Sequence, residues 1–110
     1  MRRLLFVIGL SMLVCSVLVA ATKHGKPKTH TVIMEAMEFR PKALTVSSGD
    51  TIVWVNKDIV EHTATSAIDG AFDSKMIRAG QSWKYTIRTR GNFAYGCTYH
   101  PTMRATLQVK

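Results

Sequence analysis

Cysteine is scarce in this sequence: Cys15 and Cys97 are the only two among 110 residues. Cys15 lies in an apolar N-terminal segment, so removal of residues 1–21 would leave 89 residues and a single thiol. One thiol cannot form an internal disulfide, although small exported domains often depend on disulfides for stability. A bound metal would occupy such a thiol, and it would also stabilise a domain whose core is small.

The one long apolar run, Leu4 to Ala20, stands at the N-terminus. Two arginines precede it and two alanines close it, which is the pattern of a secretory signal peptide over residues 1–21. The run is long for a cleaved signal, so an uncleaved N-terminal anchor is the alternative. Either outcome predicts export, with a periplasmic location for the domain and no stable membrane insertion if the signal is removed.

Acidic residues are absent between Ser74 and Lys110, where seven basic residues lie, and all seven carboxylates fall between Glu35 and Asp73. Without residues 1–21 the chain has thirteen basic and seven acidic residues, a net charge of +6. Export and the lack of a recognition motif or an aromatic stacking platform exclude nucleic acid as a partner. The basic stretch predicts either a solvated surface or a docking surface for an acidic partner.

Helical periodicity is also missing beyond the N-terminal segment, and short β-compatible runs alternate with turn residues instead. Predicted strands cover residues 31–39, 43–46, 51–55, 62–65, 82–87, 92–95 and 106–109. Seven or eight short strands with regular turns predict an all-β fold, either an antiparallel β-sandwich or a small barrel. Residues 22–30 are basic and contain glycine and proline, so they are expected to form a flexible lead-in to a single domain over residues 31–110.

Three metal-donor side chains lie within seven residues near the C-terminus, in the stretch CTYHPTM of residues 97–103. Cys97 offers a thiolate, His100 an imidazole and Met103 a thioether. A trigonal set of one Cys and two His with a distant Met suits a single copper ion that cycles between Cu(I) and Cu(II). Such a set needs one further histidine from elsewhere in the chain.

His62 is the candidate for the missing donor, because it follows the strong strand TIVWV and loops at one end of a sandwich come together. His24 and His30 lie in the lead-in and are less suitable. Each residue alone has an ordinary explanation: a lone histidine at a strand end is usually hydrogen-bonded, and a lone methionine usually fills core space. The Cys-x-x-His-x-x-Met spacing in an exported domain favours a metal site over those explanations taken together.

The sequence resembles the cupredoxins, the small blue copper proteins, and among them the group of amicyanin, plastocyanin and pseudoazurin. The resemblance is carried by FRPKALTVSSGDTIVWVNKD, AGQSWKYT and GNFAYGCTYHPTM, and it covers nearly the whole chain from Val32. It implies an eight-stranded Greek-key sandwich, one type 1 copper ion and outer-sphere electron transfer. It also implies the copper ligands: His62, Cys97, His100 and Met103.

Two positions depart from the family pattern. The family usually has asparagine after the first ligand histidine, where this chain has Thr63. A link from Thr63 to Thr98 would then tie the two ligand loops, while the Thr63 N–H can still reach the Cys97 sulfur. Tyr99 stands where amicyanin-like loops often carry proline, and its N–H is predicted to donate a second hydrogen bond to Cys97. Bonds of this kind tune metal affinity and potential.

The resemblance also implies an electron-entry patch formed by His100 and Pro101. The expected partner is an acidic exported redox protein, such as a c-type cytochrome or an amine-dehydrogenase-like enzyme, and a monomer is expected. A copper-binding protein for delivery or buffering is the alternative to a carrier, and a metal-free adhesion module is a third reading. An enzyme is disfavoured, because the sequence shows no acid–base pair or nucleophile and four protein ligands leave no open metal position.

A second copper site is predicted at the N-terminus if cleavage follows Ala21. The chain would then begin Thr22-Lys23-His24. A free amine, two backbone amides and a histidine at the third position can bind Cu(II) in a square plane. The ordinary explanation is that the histidine of a basic tail is simply solvated.

Overall fold

Alternating apolar and polar residues organise the chain into strands from Thr29 onward, since successive side chains of a strand face opposite sides of a sheet. The computed structural model describes residues 14–18 and 25–110. Strands in these residues are β1 Thr29–Glu35, β2 Glu38–Arg40, β3 Ala43–Val46, β4 Thr51–Asn56, β5 Thr65–Ser66, β6 Ser82–Thr86, β7 Gly91–Gly96 and β8 Arg104–Val109. The described residues contain no helix with the length and apolar character needed to span a membrane.

The strands form two four-stranded sheets, ordered β2-β1-β4-β6 and β3-β8-β7-β5. The predicted all-β sandwich of seven or eight strands is therefore confirmed. The expectation of purely antiparallel pairing is wrong, because β1 pairs with β4 in parallel and β3 does the same with β8. The chain changes sheet after β2 and again after β3, so β4 returns beside β1 in the same direction, as a crossover connection requires.

The core between the sheets is rich in aromatic side chains. Trp54 of β4 is fully buried, and its ring centroid lies 5.4 Å from that of Trp83 in the same sheet. Across the core, its centroid lies 5.7 Å from that of Tyr95 in β7. Each such pair contributes about 0.5–1.5 kcal/mol beyond the area it buries. Burial raises the pKa of Tyr95 to about 12. This packing fixes β4 and β7, the strands that precede the candidate metal donors.

Residues 31–39, which the sequence predicts as one strand, fold as the hairpin of β1 and β2. Ala36 and Met37 form its turn, with φ angles of 52° and 61°. Positive φ at both central residues suits a two-residue hairpin, but alanine and methionine give no sequence signal for it. The lead-in is also shorter than predicted, because Thr29 pairs with Thr51 and residues 29–30 belong to the sheet.

The other predicted strands each overlap an observed one. The segment 62–65 is the weakest case: β5 starts only at Thr65, and His62 makes an isolated bridge to Ile77. The predicted leader falls mostly outside the described residues. Residues 14–18 are described, and they are exposed without regular structure.

The sandwich has two ends that hold different parts of the chain. At one end, which we call the loop end, β4 finishes at Asn56, β7 finishes at Gly96 and β8 begins at Arg104. At the opposite end, β1 begins at Thr29 and β8 finishes at Val109. Because β1 and β4 are parallel, the N-terminal segment joins the domain at the opposite end, away from residues 97–103.

Candidate metal centre

Two connections at the loop end contain the four predicted donors. His62 lies between β4 and β5, whereas Cys97, His100 and Met103 lie in the connection from β7 to β8. The second connection closes on its own backbone: the Cys97 N–H donates to the Met103 carbonyl at 3.1 Å, and the Met103 N–H donates to the His100 carbonyl at 2.9 Å. These bonds close the 97–103 loop into a tight turn.

The 97–103 loop also depends on a close approach at Gly96. A Cβ at this position would lie 2.8 Å from the Met103 carbonyl oxygen. Real Cβ atoms do not approach backbone oxygens so closely, so only glycine fits here without a shift of the loop. The same oxygen accepts the hydrogen bond of the Cys97 N–H. Gly96 therefore allows the two ends of the loop to meet.

His62 is fully buried and presents its two ring nitrogens to different partners. Nδ1 lies 3.8 Å from the sulfur of Cys97, and Nε2 lies 2.6 Å from Oδ2 of Asp58. An ionised carboxylate has no proton to donate, so it can only accept hydrogen bonds. Nε2 therefore carries the proton, and Nδ1 keeps its lone pair. The ring centroid of His100 lies 5.2 Å from that of His62. The lone pair of a buried histidine thus faces a buried thiol.

Asp58 is a functional candidate that the sequence analysis missed. Besides its contact with His62, its carboxylate accepts hydrogen bonds from the backbone N–H of Ala36 at 2.7 Å and of Met37 at 3.1 Å. Burial acts to raise the pKa of Asp58, but these hydrogen bonds, with that of His62 the largest, leave the pKa below its usual value. The sequence shows only an aspartate four residues before a histidine, and outside a helix that spacing fixes no geometry.

Thr63 connects the two metal-donor segments. Its N–H donates to the Cys97 sulfur at 3.3 Å, and its hydroxyl oxygen accepts the Thr98 N–H at 2.9 Å. The hydroxyls of Thr63 and Thr98 are 3.2 Å apart, so the predicted link between the loops is present. The hydrogen bond predicted from the Tyr99 N–H to Cys97 is not formed in the described residues, where the backbone donor to the sulfur is the Thr63 N–H.

The loop end exposes an apolar surface around the donors. Cys97 and Met103 are buried, whereas His100 is half-buried and Pro101 is exposed beside it. Five large apolar residues with at least 39% exposure lie in the 97–103 loop or in segments next to residues that contact His62: Met37, Ile59, Val60, Met76 and Tyr99. Ile59 is the extreme case, with 96% of its surface exposed. Clusters of exposed apolar groups are typical of docking faces, so the loop end is the candidate docking face.

The basic residues of the C-terminal part do not form one surface. Three lie toward the loop end: Lys75, Arg78 and Arg104. Three others lie at the opposite end: Arg88, Arg90 and Lys110. Antiparallel strands reverse direction at each turn, so neighbours in sequence reach different ends. Exposed carboxylates also lie near the loop end: Glu35, Glu38 and Glu61. The charge near His100 is therefore mixed, and the basic residues of the C-terminal part are divided between the two ends of the sandwich.

The donor set fits copper better than a site made of carboxylates and histidines alone. Within residues 14–18 and 25–110, no three His, Cys, Asp or Glu side chains converge on one metal position as they stand. The Nδ1 of His62 and the sulfur of Cys97 are paired, with the ring of His100 beside His62. Thiol, imidazole and thioether donors, the last from the buried Met103, are types that suit copper. The predicted N-terminal set of Thr22, Lys23 and His24 lies outside the described residues.

Comparison with known proteins gives a family match over most of the chain. The model of the family described as copper binding proteins, plastocyanin/azurin family, matches residues 27–110. This range contains all eight strands and all four candidate donors.

Individual relatives agree with the family match. Amicyanin from Paracoccus versutus is 31% identical over 81 residues, which cover 70% of this chain and 61% of the relative. The match thus spans about six-tenths of that protein's length. A Cu(I) structure of an amicyanin variant is 25% identical with a TM-score of 0.69, over 74% of this chain and 82% of that chain. A copper-containing nitrite reductase from Thermus scotoductus is 26% identical with a TM-score of 0.70, over 84% of this chain but 25% of that chain.

Proposed function

Because the chain belongs to the plastocyanin/azurin family of copper-binding proteins, we propose that it is an exported carrier of single electrons. It binds copper, and the copper ion alternates between Cu(I) and Cu(II) as electrons pass between two redox partners. The periplasm is the proposed location, in agreement with the secretory pattern of residues 1–21.

The observation that carries the proposal is the pairing of two buried groups, the Nδ1 of His62 and the sulfur of Cys97, at 3.8 Å. We assign these two atoms, the imidazole of His100 and the thioether of Met103 as the copper ligands. Copper held by such a set supplies one-electron chemistry with little rearrangement of its ligands. Asp58 orients His62, and the Thr63 N–H donates to the sulfur, so the chain itself fixes two of the four donors.

His100 provides the route for electrons, since its half-buried ring lies beside exposed Pro101 within the apolar surface of the loop end. The proposed partner is an exported redox protein such as a c-type cytochrome or an amine-dehydrogenase-like enzyme. It would cover the apolar surface and place acidic groups near Arg104. The mixed charge of this end predicts a modest fall of the electron-transfer rate as salt rises.

A carrier is favoured over an enzyme, although a nitrite reductase shares the fold. The matched region makes up 25% of the nitrite reductase chain, so the similarity concerns only that part of the enzyme. In this chain four protein donors would leave no open position on the metal for a substrate.

The test is to add copper to the purified protein and record the visible spectrum and the electron exchange with a c-type cytochrome. An intense blue band is expected in the parent and in Cys15→Ser, and it should be lost in Cys97→Ser. A Cys97→Ser variant that keeps the band would refute the ligand assignment. If the band is present but the protein passes its copper to an acceptor and exchanges no electrons, it serves copper delivery or buffering instead.

A further inference from the structure

The opposite end of the sandwich carries basic side chains that the copper site does not use. We call this cluster the basic end, and its members are Lys26, Lys28, Arg88, Arg90 and Lys110. All five are exposed, and none takes part in an ion pair among residues 25–110. Four of them, all except Arg88, line one cleft of about 450 Å³ together with Ser47 and Ser48. Backbone hydrogen bonds place two of them on the sandwich, because the Lys28 N–H donates to Asp50 and the Lys110 N–H donates to the Val46 carbonyl.

Two carboxylates border on the basic end, and they leave it strongly positive. Asp50 is buried, and groups of the protein already bind its carboxylate. It accepts hydrogen bonds from the N–H of Lys28 at 2.9 Å and from that of Ser47 at 3.0 Å, and it contacts His30 at 2.8 Å. Asp69 is exposed and lies beside Arg90 on a neighbouring cleft. The basic end thus has five exposed cationic side chains and one exposed carboxylate beside them.

The N-terminal apolar segment joins the domain at this same end. The chain reaches β1 at Thr29, and the bond from the Lys28 N–H to Asp50 fixes the last residue before the strand. Residues 22–28 separate this point from the apolar run in sequence, and seven residues span at most about 25 Å when fully extended. A segment retained in a bilayer would therefore keep the basic end close to the lipid headgroups.

We propose that the basic end binds the anionic surface of a phospholipid bilayer, so that the loop end points away from the membrane. Basic side chains near an anionic lipid surface each strengthen binding about fivefold, and the attraction is screened by salt. The six residues of β4 separate the two ends by about 20 Å, so a bound domain leaves its apolar surface free for a partner. The attached apolar segment favours a membrane over an acidic protein as the occupant. The proposal does not depend on the assignment of the copper ligands.

Vesicle binding tests the proposal with residues 22–110, which contain every strand and every strand pairing of the described structure. The probe is vesicles of phosphatidylglycerol and phosphatidylcholine in equal parts, compared with vesicles of phosphatidylcholine alone. Binding to the anionic vesicles only is expected, with loss at high salt. The triple variant Arg88→Gln, Arg90→Gln, Lys110→Gln should bind about a hundredfold more weakly.

The matched control removes the same charge from the loop end through Lys42→Gln, Lys57→Gln and Arg78→Gln. It should bind anionic vesicles within a few-fold of the parent, and near-ultraviolet circular dichroism verifies that both variants fold. Equal losses in both triple variants would mean that only net charge matters, and this would overturn the proposal. So would a parent that ignores anionic vesicles.

Amide shifts measured with anionic bicelles locate the contact. Shifts are expected in residues 25–28, 47–49 and 88–91 and not in residues 97–103. Inorganic phosphate at the same phosphate concentration should leave the amides unmoved if an extended lipid surface is the ligand. If soluble polyglutamate shifts the same amides and binds at least as tightly as the vesicles, the partner is an acidic protein and the membrane assignment is wrong.

Discussion

At the scale of single residues, Asp58 decides which nitrogen of His62 faces Cys97. Its two oxygens serve three donors: Oδ1 accepts the Ala36 N–H, while Oδ2 accepts the Met37 N–H and the Nε2–H of His62. The same carboxylate therefore stabilises a turn with positive φ and orients a buried imidazole. Partners of a metal-bound histidine fix its tautomer and increase its basicity, so we expect Asp58 to act as a positioning residue for the proposed copper site.

Asp58→Asn is expected to weaken copper(II) binding about 10- to 100-fold, because an amide offers one acceptor oxygen for three donors and lacks the negative charge. Competitive titration with a chelator measures the affinity. The metal-free variant should also show a mixture of His62 tautomers in its imidazole nitrogen shifts, whereas the parent shows the Nε2–H form.

Glu61→Gln is the control for Asp58→Asn, since Glu61 adjoins His62 in sequence, is exposed and loses the same charge. Its copper affinity should match that of the parent within about twofold, because exposed charges are well screened. Equal affinities in Asp58→Asn and the parent would show that Asp58 serves the hairpin turn alone.

At the scale of elements, the β7–β8 connection works as one unit because Gly96 lets its two ends meet. Gly96→Ala would place a methyl group 2.8 Å from the Met103 carbonyl and force the loop apart. Overpacking of this kind costs about 1–3 kcal/mol of unfolding free energy. The copper-loaded variant should also show a shifted or weaker visible band, because the Cys97 N–H loses its acceptor.

Gly25→Ala is the matched control for this loop, since a Cβ there meets nothing within 4 Å. Chemical denaturation and the visible spectrum should not distinguish it from the parent. A Gly96→Ala protein with the parent's stability and spectrum would show that the loop adjusts without moving its donors.

The turn before β4 contains a buried carboxylate, Asp50. The N–H of Lys28, followed by His30 and the N–H of Ser47, lowers the pKa of Asp50 from 3.8 to about 2. The folded state therefore favours the ionised form. Its contribution to stability is complete above the unfolded pKa and is lost as the pH falls from about 4 through about 2.

Asp50→Asn should lower the unfolding free energy by about 2 kcal/mol at neutral pH, since hydrogen bonds to a buried charged group are among the stronger ones. The variant should also lose less stability than the parent between pH 4 and pH 2. Denaturant titrations at several pH values measure both effects. Asp69→Asn, an exposed position, should stay within about 0.5 kcal/mol of the parent, and an equal loss there would argue against the bonds of Asp50 as the cause.

At the scale of the whole molecule, local patterns predicted the strands and the 97–103 loop, but long-range contacts decided the rest. The β3 segment and the TIVWV strand follow directly from apolar alternation and turn residues. The Ala36–Met37 turn could not be predicted, because the Asp58 that stabilises it lies more than twenty residues away. β1 and β4 pair in parallel because β3 joins the other sheet. No local sequence pattern predicts which sheet β3 joins.

The split of the basic residues between the two ends has the same origin. A run without acidic residues in the sequence becomes two separate surfaces once strands reverse direction, so Arg104 and Arg90 reach different ends. The molecule therefore has an apolar end of mixed charge around His100 and a basic end about 20 Å away, at the opposite ends of the strands. The amino-acid composition predicts the net charge but not how the charge is distributed between the two ends.

The burial of Cys97 also affects how fast its thiol can react. Cys97 is buried and Cys15 is exposed, so a thiol reagent should modify the full-length chain in two phases. Cys15 should react as fast as an unprotected thiol. Cys97 should react only when the loop end opens, so the rate of its modification measures local opening. The slow phase should become faster in Gly96→Ala and remain unchanged in Gly25→Ala. Along the proposed export route, this burial would shield the Cys97 thiol from oxidants before copper binds.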